Sequence, residues 1–184
     1  MPSVPGLRSP YAKVGRLVYF GRMLDKIRLH AAGRLPVEYQ ANLGDDKPYV
    51  FDGRCCRFLG VRYADLKART LQGGADLDVL VWCEARGILH TDDECQTWNR
   101  FMMKIGWRDE RSAALQDRIR EYGLAGKPIE TGFDLIDYDE GRDPVAAQAW
   151  LECPPAGDPG YRTPPRKLPF GAPSLIADLR SEIE

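Results

Sequence analysis

No stretch of the 184-residue chain approaches the roughly 20 consecutive apolar residues that a membrane helix needs, so no membrane span is expected. No apolar secretion segment follows the start, and the expected compartment is the cytoplasm. Residues 7–24 are rich in Arg and poor in acids, as in a transit peptide, but the apolar periodicity continues past Asp25 as in an ordinary helix. Histidine is scarce, with His30 and His90 only. The five cysteines, Cys55, Cys56, Cys83, Cys95 and Cys153, include no C-x-x-C pair and are odd in number. They are therefore expected to be reduced thiols, with no metal site among them. There is no phosphate-cradling glycine loop and no serine nucleophile elbow, and no cofactor follows from the sequence.

What is present is globular composition, 43% hydrophobic and 29% charged. Helix signals dominate, so the expected fold is all-α: an irregular helical bundle over residues 1–152, followed by a Pro-rich extended tail over 153–184. Ser9-Pro10 suggests a first helix that runs to about Ala32, with Gly33 as its stop. Residues 33–53 then form a long loop. Shorter helices are expected over 54–59, 63–72, 76–86, 92–105, 109–122 and 132–137, with Thr91 and Thr131 as caps, and one more from Asp143-Pro144 to about Leu151. No β-hairpin is expected. The tail carries Pro154, Pro155, Pro159, Pro164, Pro165, Pro169 and Pro173, and a final helical turn over 174–183.

The first helix holds the sharpest pattern. At 100° per residue, Leu17, Phe20, Leu24, Ile27 and Ala31 form one apolar stripe. Opposite that stripe, with Arg22 at 0°, Lys26 falls at about 40°, His30 at about 80° and Asp25 at about −60°. Two cations, a carboxylate and an imidazole on one face can hold an anion, with His30 moving a proton. The plainer reading is a solvated face with ordinary i,i+3 and i,i+4 neighbours. Val18 and Leu29 also lie there, which a purely solvated face does not require.

Asp52-Gly53-Arg54-Cys55-Cys56 is the second candidate. At a helix start beside Arg54, Cys55 would be an activated thiol, with His30 or Lys26 as its base. The plainer reading is a buried, inert cysteine. The first 35 residues carry seven Lys or Arg against Asp25 alone. Those cations spread around the helix without interleaved aromatics, which argues against a nucleic-acid partner. Arg162–Pro169 has the look of a polyproline ligand, with a solvated tail as the simpler alternative.

Several motifs recur in a fixed order: Arg8-Ser9-Pro10; Arg22-x-x-Asp25-Lys26-x-Arg28-Leu29-His30; Gly33-Arg34-Leu35-Pro36; Tyr39; Asn42-Leu43-Gly44; Phe51-Asp52-x-Arg54-Cys55-Cys56; Asp134-Leu135-Ile136-Asp137; and Glu140-Gly141-Arg142. Over residues 8–142 this order resembles a bacterial family known as a domain of unknown function, DUF5069. The resemblance implies a small cytosolic helical protein and no particular reaction. Asp45–Val50 departs from the family pattern as extra loop, and the Pro-rich tail lies outside its core.

The expected site is therefore a small-molecule site. Arg22, Arg28, Lys26 and Arg54 would hold an anion, and Asp25 would orient Lys26 or His30. Tyr39, Asn42 and Asp52 would supply hydrogen bonds, and Cys55 would be the candidate nucleophile. The alternative is an interaction scaffold without a ligand. The sequence names no oligomeric state.

Overall fold

The computed structural model describes residues 3–47 and 49–146. Among these, two short strands, β1 (Lys13–Val14) and β2 (Leu17–Val18), precede eight helices. The helices are α1 (Phe20–Ala31), α2 (Val37–Gln40), α3 (Phe51–Leu59), α4 (Tyr63–Leu71), α5 (Asp76–Arg86), α6 (Asp92–Lys104), α7 (Ser112–Glu121) and α8 (Gly132–Asp139). The architecture is mainly helical, as the sequence indicates. Of the expected 143–151 helix, residues 143–146 form a turn and not a helix, and the remainder, like the Pro-rich tail with its terminal helix, lies outside the described residues.

The first helix is shorter than its periodicity suggests. Residues 13–18 form an antiparallel hairpin instead, pairing Lys13 with Val18 and Val14 with Leu17. Gly15 takes φ +54 in the two-residue turn, which helps close it. Asn99 of α6 then stands in for a third strand. Its Oδ1 accepts from the Val18 amide at 3.0 Å and its Nδ2 donates to the Arg16 carbonyl at 2.7 Å. Ser9 caps no helix: its Oγ donates to Asp137 at 2.6 Å and accepts from the Tyr11 amide. The chain enters α1 through Tyr19, whose φ of 68 is a conformation that bulky residues rarely adopt.

The later helices follow their local signals more closely. Thr91 and Thr131 each accept from the amide three residues on, and Glu94 and Asp134 reach back to the capping residue's own amide. Gly60 ends α3 with φ +67. The main core gathers Phe20, Met23, Leu24 and Ile27 of α1 with Leu59, Leu66, Met102 and Phe133. A second cluster packs Leu29 of α1 against Val4, Leu7, Leu35 and Tyr39. Thus α1 is the central element, covered on both sides, and every residue from Phe20 to Ile27 is buried. No described helix is long and apolar enough to cross a membrane.

Candidate functional site

Burial of α1 on all sides forces its polar residues to find partners inside the protein, because an unpaired buried charge is costly. Asp25 takes the Arg8 guanidinium through both oxygens, at 2.6 and 2.7 Å, and the Arg8 amide at 3.1 Å. Arg8 also reaches Asp76 at 2.7 Å, and Arg28 meets the same carboxylate at 2.6 Å. Asp25 and Arg28 thus fasten the N-terminal segment to the start of α5. Arg22 donates to the Arg8 carbonyl at 2.7 Å and grips Glu140 through two nitrogens. Arg142 closes that network onto Glu140 and Asp137.

Lys26 lies deeper. Its Nζ contacts Asp52 Oδ1 at 2.6 Å, the Tyr19 hydroxyl at 3.0 Å and the Asn42 carbonyl at 3.0 Å. The Tyr19 hydroxyl in turn donates to Asp52 at 2.9 Å. Burial lowers the Lys26 ammonium and raises the Asp52 carboxyl, while the attraction between them opposes both shifts. Burial, with the Asp52 charge beside it, also pushes the Tyr19 hydroxyl well above its ordinary value. The strained Tyr19 backbone therefore delivers its hydroxyl into a buried ion pair.

This cluster forms one side of a cavity of about 150 Å³. Tyr19, Arg22, Lys26, Tyr39 and Asn42 line that side, and Phe51, Arg54, Arg111, Leu115 and Ile136 are among the rest of its wall. The charges there are uneven. Arg22 and Lys26 are neutralised by Glu140 and Asp52. Arg54 is not: its Nε is buried and meets no hydrogen-bond partner among the described residues. Burial and then the positive charges of Arg111 and Arg57 lower the Arg54 guanidinium, with Glu110 and Asp109 pulling weakly the other way. Arg111 rests over the Tyr49 ring at 5.9 Å, and Arg54 over the Phe101 ring at 5.5 Å.

Five of the sequence candidates, Arg22, Lys26, Tyr39, Asn42 and Arg54, line this one cavity, and Asp52 stands directly behind Lys26. Asp25, Arg28, His30 and Cys55 are absent from its lining. Cys55 is fully buried, and burial, followed by the neighbouring Cys56 and Asp52, raises its thiol well above the ordinary value. A thiolate is disfavoured there. His30 is half-buried near the end of α1.

Sequence reasoning missed Tyr19, Arg111 and Glu140 as parts of this cavity wall. Arg111 and Glu140 come from segments at least 80 residues beyond α1, and no spacing rule connects them. Elsewhere, the His90, Phe58 and Trp98 rings stack at centroid distances of 3.8 and 4.4 Å. Among the described residues, no three His, Cys, Asp or Glu side chains converge as metal ligands.

No curated protein matches the chain. The family model described as a domain of unknown function, DUF5069, matches residues 4–142, which include every residue of this cavity, and the chain belongs to that family.

Proposed function

We propose that the protein binds a compact anion in the cavity beside α1, α3, α7 and α8. The observation that carries this reading is that two guanidiniums, Arg54 and Arg111, line one cavity and neither forms an ion pair among the described residues. Two like charges lining a shared space are stabilised when an anion enters. Tyr39 and Asn42 add polar groups along the same wall. One observation favours the scaffold alternative: Lys26 already has three oxygen partners, so its own role is met without a ligand.

The test is a thermal-shift series with phosphate, sulfate and small carboxylates on the native protein and on Arg54→Gln. A ligand at a hundredfold excess over Kd adds about 2.7 kcal/mol, a rise of roughly 5–10 °C for a chain of this size. The expected result is such a rise in the native protein, reduced at least tenfold in apparent affinity by Arg54→Gln. Equal, small effects of every anion on both proteins would leave only the scaffold.

A further inference from the structure

The cavity's size and wall narrow the class of anion, on the reading that it binds one. Its volume of about 150 Å³ is that of a single benzene-sized guest in a protein interior. A nucleotide exceeds this volume and would leave much of itself outside. A bare inorganic ion leaves most of the space unfilled.

The wall is divided in character. Arg22 and Lys26 are paired with Glu140 and Asp52, whereas neither Arg54 nor Arg111 forms an ion pair among the described residues. The unpaired guanidiniums and the paired Arg22 and Lys26 thus share one wall. Phe51, Ile105, Leu115 and Ile136 present apolar surface to the same space, with the Tyr49 ring at the Arg111 side. An anion filling this cavity gains most if its charged group meets Arg54 and Arg111 while an apolar body covers those four side chains.

We propose that the ligand is a single-ring or similarly sized branched organic acid: one carboxylate at Arg54 and Arg111, with an apolar body of roughly six to ten heavy atoms enclosed by α3, α7 and α8. The carboxylate suits the guanidinium because its two oxygens match the paired N–H donors. The body supplies affinity by leaving water.

The experiment measures binding by calorimetry, or by ligand-observed NMR on the full chain, with benzoate, benzamide, acetate and inorganic phosphate as probes. The expected order is benzoate at least tenfold tighter than acetate or phosphate, with benzamide undetected. Arg54→Gln should remove benzoate binding. Ala114 lines the cavity and is exposed, so Ala114→Phe fills space without disturbing the core. That variant should weaken benzoate at least tenfold while leaving acetate unchanged. Ile136→Phe, from the opposite helix, gives the same readout should Ala114→Phe fail to fold. If phosphate or acetate binds as tightly as benzoate, the organic-acid class is overturned while the anion site survives. If none of the three anions binds, the site itself falls, and this inference with it.

Discussion

Lys26 and Asp52 illustrate how a residue's surroundings set its role. Both are fully buried, and each is the other's main compensation. Lys26→Met should therefore cost about 3–5 kcal/mol in urea unfolding, because it leaves an uncompensated buried carboxylate. Adding Asp52→Leu to that variant should restore most of the loss, since an apolar pair leaves no orphan charge. Glu140 gives the pH counterpart. Burial opposes its charge, but the hydrogen bond and charge of Arg22, and then those of Arg142, hold its carboxyl below the ordinary 4.5. A folded-state value below the unfolded one contributes stability that is fully present above about 4.5 and is lost as pH falls through the folded value. Glu140→Gln should accordingly be most destabilising near neutrality, and the gap to the native protein should close below about pH 4.5. Unfolding curves at several pH values check this, and a pH-independent gap would remove Glu140 from the linkage.

At the scale of elements, the clearest constraint is where α5 turns toward α6. A Cβ on Gly87 would lie 2.0 Å from the Leu59 carbonyl oxygen and 2.9 Å from that of Gly60. The same Leu59 carbonyl accepts from the Ile88 amide at 2.9 Å, which locks the crossing of α3 and α5. Gly87→Ala should thus cost on the order of 1–3 kcal/mol, or more if the backbone cannot shift. A loss below 0.5 kcal/mol in denaturant unfolding would show that this crossing gives way easily. The hairpin teaches a related lesson. Leu17 and Phe20 fit a helical stripe, yet residues 13–18 pair as strands because Asn99 and the Arg16 salt bridges to Glu84 and Asp92 hold them there. Those partners are 68–83 residues away, beyond the reach of any local pattern. The capping boxes at Thr91 and Thr131 were legible because both halves of each device lie within four residues.

At the scale of the whole molecule, the described core and the cavity lie within the family match, residues 4–142. A chain ended after residue 146 should therefore unfold cooperatively with a melting temperature within a few degrees of the full chain. Calorimetry checks this; a large drop would mean that residues 147–184 cover part of the core. The sequence by itself determined the helical class, the caps at Thr91 and Thr131, the glycine stops, and the two-sided character of α1, since each follows from local propensity and periodicity. It also marked Arg22, Lys26, Tyr39, Asn42 and Arg54, five residues that meet in one cavity. Only the tertiary structure decided that Asp25 and Arg28 anchor the N-terminal segment, that Cys55 is sealed in the core, and that Arg54 rather than Lys26 carries an unmet donor. The reason is physical: whether a charge is spent or available depends on which opposite charge reaches it, and here those partners arrive from distant segments.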